Sequence, residues 1–180
     1  MPIVSSDILF KLSVTTGSAG NTTAQGNVNN SLGKYISTTQ LTDNILNNLF
    51  DDISGAENAA STVDYRCIFI HNSHASLNML STVIWLQSEV AGGASIQIGL
   101  DPGGVVPIGQ ASAQAQTIAN ETTAPGGVSF SAPTTSGTGL NIGTIQAGYC
   151  QAVWVKRIAA NTSPVNNDGV TLGLNCDTMA

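Results

Sequence analysis

The 180-residue sequence predicts an all-β protein: a single-domain β-sandwich or jelly roll of about seven or eight strands, with one short helix near residues 40–53. Three observations predict it. Apolar residues alternate with period two in one segment after another. Gly, Asn and Pro separate those segments. Only one stretch carries helical spacing.

In chain order, Ile8, Phe10, Leu12 and Val14 alternate with Leu9, Lys11 and Ser13, the pattern of a half-buried strand. Gly17 to Asn30 (GSAGNTTAQGNVNN) has almost no apolar anchor and predicts a flexible loop or arm. The chain therefore divides into an N-terminal strand (1–16), the arm (17–30) and the remainder of the same domain (31–180). Leu32 to Ser37 reads as a short strand. The helical stretch is Thr38 to Ile53: Leu41, Ile45, Leu49 and Ile53 lie four apart, with Leu46 and Phe50 on the same side. Thr39 or Thr42 suits its cap, Asp43 its first turn and Gly55 its end, while Asn47 and Asn48 keep it short.

Beyond it the pattern is almost wholly β. Tyr65 to His71 (YRCIFIH), Thr82 to Gln87 (TVIWLQ), Ser95 to Leu100, Tyr149 to Ile158 (YCQAVWVKRI) and Val170 to Leu174 read as strands. Asp101 to Gly104 (DPGG) reads as a turn. Ala111 to Glu121 fits a short helix or an extended loop. Gly126 to Pro133 holds a candidate strand around Val128 and Phe130. Thr134 to Gly143 is flexible in composition, and Asn161 to Gly169 is a turn-rich connection.

Charged residues make up only 9% of the chain, against about 25% in an average protein, while hydrophobic residues make up 42%. A surface so poor in Lys and Glu resembles the cores of interfaces, so much of it is expected to face other protein. The five basic residues, Lys11, Lys34, Arg66, Lys156 and Arg157, are scattered among 11 acidic ones. That argues against nucleic acid and anionic membranes, both of which need clustered cations. The N-terminus lacks the charged and apolar regions of a secretory signal. No apolar run approaches the roughly 20 residues of a membrane helix. The expectation is synthesis in a cytoplasm, with buried, reduced thiols at Cys67, Cys150 and Cys176. Cys150 and Cys176 would approach each other if the last two strands paired, a point the sequence leaves open.

The residue types that carry chemistry do not assemble into a recognisable site. Cys67, His71 and His74 form a C-x3-H-x2-H run, but a structural zinc site shows paired short spacings, and His74 lies beyond the strand. There is no G-x-S-x-G elbow and no phosphate loop at Gly92-Gly93 or Gly103-Gly104. Asp51 and Asp52 are adjacent and read as a solvated helix end. Asp101 and Asn166-Asn167-Asp168-Gly169 lack the spaced oxygens of a calcium loop. Glycosylation-type triplets at Asn21, Asn29, Asn120 and Asn161 are expected by chance in so Asn- and Thr-rich a chain. Trp85 and Trp154 sit in apolar strands and read as core. We therefore expect no catalytic, cofactor-binding or metal-binding residue, no cofactor, and no enzyme activity.

Three stretches carry a resemblance: SLGKYISTT (Ser31 to Thr39), NNLFDDISGAENAASTVDYRCIFIHN (Asn47 to Asn72), and VWVKR (Val153 to Arg157) before a DGVTL ending. Over most of residues 5–177 the chain resembles small virion structural proteins of tailed bacteriophages, and is most similar to head decoration, or cement, proteins. The resemblance implies a β-sandwich or jelly roll that binds the major capsid protein or another virion structural protein. It also implies a homotrimer, and assembly on the virion in the bacterial host cytoplasm. It fixes no site residue. The competing expectations are a tail, neck or baseplate component, or a carbohydrate-binding module at a fibre tip, against which the low aromatic content (5%) counts. The 17–30 arm is expected to order on docking, as a peptide does when it adds to a sheet edge.

Overall fold

The structure is a computed structural model and describes residues 2–178. Eight strands form two antiparallel sheets: β1 (Ile8–Val14), β2 (Tyr35–Gln40), β3 (Val63–Asn72), β4 (Met79–Glu89), β5 (Ser95–Pro107), β6 (Leu140–Ile145), β7 (Tyr149–Ile158) and β8 (Val170–Thr178). The larger sheet has the order β2-β1-β3-β7-β5, and the smaller one β6-β4-β8. The result is a sandwich-like all-β fold. Its centre is the β3–β7 pair, in register from Val63 opposite Ile158 to His71 opposite Cys150.

Both faces of the five-stranded sheet are buried, which explains why β3 and β7 read as nearly unbroken apolar runs. On one face Ile68 and Ile70 of β3, Val153 and Val155 of β7, and Ile96 and Ile98 of β5 pack with Met79, Ile84, Leu86 and Ile145 of the small sheet. On the other face Tyr65, Cys67, Phe69, Cys150, Ala152 and Trp154 have no second sheet above them. Ala115, Ile118, Ile108, Val128, Phe130 and Leu32, all outside the strands, cover them. The 108–133 region is thus neither helix nor strand. Its only sheet-like contacts are isolated bridges from Thr117 to Gly33 and from Ser131 to Ile98.

The α-helix lies at Gly55–Ala60, just past the span predicted for it. Thr38 to Gln40 belong to β2, and 41–53 is irregular. Asn44 and Asn47 adopt left-handed conformations (φ 59° and 56°) that break any helix there. Leu41, Leu49 and Phe50 still pack on the core, but Ile45 and Leu46 are exposed. The helix starts where a capping box permits. The Ser54 hydroxyl accepts from the Glu57 N–H at 3.2 Å, and the Ser54 N–H donates to the Glu57 carboxylate at 2.7 Å. Gly55, expected to end a helix, is its first residue.

Two further departures concern strands. DPGG does not turn the chain; it bulges inside β5, which advances five residues from Leu100 to Val105 while β7 advances two from Val153 to Gln151. β6 falls within a stretch that composition marked as flexible.

Segment 17–30 is a loop, and it is tied down. The Asn21 N–H donates to the Ile36 carbonyl (2.7 Å), the Thr38 N–H donates to the Thr23 carbonyl (3.0 Å), and the Gln25 amide donates to the Ser13 and Asn30 carbonyls (2.9 and 3.0 Å). The first two of these bonds close the outer edge of β2, helped by the Ile36 N–H donating to Gln114 Oε1. The outer edge of β5 is closed by the reciprocal Ile98–Ser131 pair and by the Ile96 N–H donating to Glu89.

Candidate functional site

Three buried polar clusters hold the side chains that could carry chemistry. The first surrounds the only two arginines, Arg66 of β3 and Arg157 of β7, which are 0% and 5% exposed. Both project on the small-sheet side of the large sheet, beyond the end of its apolar packing. Arg157 pairs with Asp64 at 2.8 Å and with Asp51 at 3.0 Å. Arg66 pairs with Glu121 and donates to Asn29 Oδ1 at 2.9 Å. The Phe50 ring lies between the two guanidiniums, 5.3 Å from Arg66 Cζ and 4.7 Å from Arg157 Cζ. Asp51 is therefore not a solvated helix end: it bolts the irregular 41–53 segment to the sheet. Burying two cations is costly unless each is paired and hydrogen-bonded. Arg157 meets that condition throughout, and Arg66 at both terminal nitrogens, while its buried Nε–H has no partner among the described residues.

The second cluster fastens the loop cover to the other face. Asp101, 4% exposed at the β5 bulge, accepts from Trp154 Nε1 (2.9 Å), from the Gly103 N–H (2.9 Å) and from the Gln116 N–H and side-chain amide (3.2 Å each). Gln114, 1% exposed, donates to the Pro107 and Ile108 carbonyls and accepts from Ile36. A shallow cavity of about 310 Å³ lies beside them, lined by Asp101, Pro102 and Val106 among others. The Asp101 carboxylate behind it already accepts four hydrogen bonds, so it serves the fold.

The third cluster is Lys11, His71 and Cys150, on neighbouring strands of the loop-covered face. Burial, and secondarily the Lys11 charge, lowers the His71 pKa to about 4. Burial also lowers that of Lys11, whose ammonium donates to Asn21 Oδ1 at 2.7 Å. The Cys150 thiol is pushed up to about 12 by burial, with Lys11 opposing. Burial pushes Cys67 well above its ordinary value and Cys176 up as well. Protonated thiols are poor nucleophiles, and the buried imidazole is a weaker base than an ordinary one.

The residues singled out from the sequence are dispersed. Cys67 and His71 share a face of β3, but the His74 Nδ1 accepts from the Ser76 and Leu77 N–H groups in the following turn. Among the described residues no three His, Cys, Asp or Glu side chains converge as metal ligands. Cys150 and Cys176 do not meet, because β7 and β8 lie in different sheets. Asp168 accepts from the Ala94 N–H at 2.7 Å, closing the β4–β5 connection against 159–169. Trp154 is fully buried, whereas Trp85 is half-buried and lies flat over Gly173, on the outer face of the small sheet. The arginine cluster is the part that sequence reasoning missed. Its signal was present: Asp64, Arg66 and Arg157 are charges inside strands that are otherwise apolar.

Among the described residues, no helix is long and apolar enough to cross a membrane. The arrangement defines a class, a sandwich-like all-β protein whose polar interior fastens loops to a central sheet. No family model, curated protein or solved structure matches the chain.

Proposed function

We propose that the chain is a structural protein of a phage virion that binds the assembled capsid and stabilises it, working through its surface and not by catalysis. The observation that carries this reading is the use to which its interior chemistry is put. Buried carboxylates, guanidiniums and amides hold loops on the sheet, and the buried imidazole and thiols are held neutral. What is left for function is an outer surface of Ser, Thr, Asn, Gln and Gly with few charges. Such a surface suits contact with other protein, and the sequence resemblance to decoration proteins points the same way. A protein that binds the assembled shell and not its free subunits stabilises the shell by mass action. Its partner is then the major capsid protein or a neighbouring virion protein, met in the host cytoplasm during assembly. The 17–30 loop, hydrogen-bonded along its length, offers a preformed contact rather than one that orders on docking.

Quantitative mass spectrometry of purified particles tests the reading. A copy number comparable to that of the major capsid protein is expected. A small fraction of it would move the protein to the tail, neck or baseplate, and absence from particles would end the virion reading.

A further inference from the structure

We propose that the free edge of β8 pairs with the same strand of a second copy, antiparallel and about a two-fold axis at Leu174. The pairing joins two three-stranded sheets into one continuous sheet. This inference does not rest on the virion reading.

The two sheets have four edges: β2, β5, β6 and β8. The first two are closed by the hydrogen bonds described above. β6 is six residues long and irregular. Its register against β4 shifts on both sides of Thr82, Gly143 sits at φ 83°, and the Gly143 N–H is taken by Asn141 Oδ1 at 3.0 Å. β8 differs in every respect. It runs nine residues with its ladder to β4, and among the described residues its backbone forms no other hydrogen bond. The bulges in the β4–β8 pair place the extra residues on β4, so β8 itself is regular. It contains no Lys, no Pro and a single charge, Asp177. A long, regular and uncharged edge is a template for another strand, and proteins that must stay single blunt such edges.

The occupant follows from the sequence of β8. With Leu174 opposite itself, Leu172 of each copy faces Cys176 of the other and Val170 faces Thr178, all on the inner face. Gly173 faces Asn175 and Thr171 faces Asp177 on the outer face. Val170, Leu172, Leu174 and Cys176 are only partly buried within one chain, and the second strand covers them. The two Asp177 carboxylates lie six positions apart, about 20 Å at strand spacing, beyond a screening length of about 8–10 Å. Parallel in-register pairing would instead set them side by side. Because the pairing is isologous, and the other edges are closed (β2, β5) or irregular (β6), association by this route stops at two copies and does not propagate. A two-fold dimer replaces the trimer that the sequence resemblance implies.

Light scattering or sedimentation of the full chain tests this. The expected mass is twice that of the 18.4 kDa chain. Asn175 is exposed, so Asn175→Lys leaves the fold intact by circular dichroism. It places two like charges at diagonal positions about 7 Å apart across the axis, and should raise the dimer dissociation constant roughly tenfold or more. Asn175→Thr should remain dimeric. Leu174→Cys should cross-link to a covalent dimer on oxidation, since directly opposed Cα atoms about 4.5–5.5 Å apart are within disulfide reach. The unaltered chain, whose Cys176 faces Leu172, should not. A mass of one or three chains at every concentration overturns the proposal, as does a dimer that Asn175→Lys leaves unchanged. If Leu174→Cys fails to fold, the Asn175 pair still decides.

Discussion

The two faces of the five-stranded sheet are covered by different means. Against the small sheet the contact is strand on strand, and the covering layer satisfies its own backbone through its ladder. The side chains there need only be apolar and well shaped, and they are: Met79, Ile84 and Leu86 from β4, Ile145 from β6. On the other face the cover is irregular chain, which brings unpaired amide and carbonyl groups with it. Those groups must find side-chain partners, so Gln114, Asp101 and Gln25 are buried, and Gln116 half-buried, where apolar residues would otherwise sit. Where the small sheet covers it the large sheet is therefore held by packing, and where loops cover it by packing together with a set of polar bonds.

Five measurements break or sharpen this contrast. Trp154→Ala should destabilise most, by about 3–5 kcal/mol in denaturant unfolding, because it empties the centre of the loop-covered face. Trp154→Phe should cost about 1–3 kcal/mol, much of it from leaving Asp101 without its indole donor. Acid should act on the same face. With a folded pKa of about 4 against an ordinary 6.5, His71 binds its proton more tightly in the unfolded chain. Its contribution is complete above pH 6.5 and is lost as pH falls towards 4. Unfolding at pH 7 and pH 5 should differ by about 2 kcal/mol from this group, and His71→Phe should remove that difference. Gln114→Ala should cost about 2 kcal/mol, with faster hydrogen exchange confined to 108–118 and β2. Ile84→Val on the strand-covered face should cost least, about 1 kcal/mol, and leave exchange in 108–118 unaltered. Equal exchange responses from Gln114→Ala and Ile84→Val would show that the two faces are not independent.

The legibility of the fold follows the same division. β1, β4 and β8 announce themselves because each presents one regular apolar face, which writes period two into the sequence, and β3 and β7, buried on both faces, because they are nearly unbroken apolar runs. β6 does not, since Asn141, Gly143 and Thr144 make its outer positions resemble loop. Segment 41–53 misleads for another reason. Leu41, Leu49 and Phe50 are apolar because they cover the core, yet the chain reaches that core through left-handed Asn44 and Asn47, a path that hydrophobic spacing cannot distinguish from a helix. DPGG shows the limit of turn chemistry: the same residues make a hairpin turn or a bulge, and only the pairing of β7 with both halves of β5 decides. The polar clusters were hardest to foresee. Asp51 meets Arg157, Glu121 meets Arg66 and Asp101 meets Trp154 across long stretches of chain, so no local spacing records them.

The Phe50 ring between Arg66 and Arg157 also bears on how the chain finds its structure. The two guanidiniums share a face when β3 and β7 are paired as observed, and a slip of one residue turns one strand's side chains to the opposite face. A slipped pair would turn one arginine away from its partners, Asp64 and Asp51 for Arg157 or Glu121 and Asn29 for Arg66, and stripping a buried charge of its partners costs about 3–5 kcal/mol. Segment 41–60 could then not dock, and the central pairing would stay open to rearrangement. The clamp thus favours one alignment of the two strands on which the rest of the molecule is built over its one-residue neighbours.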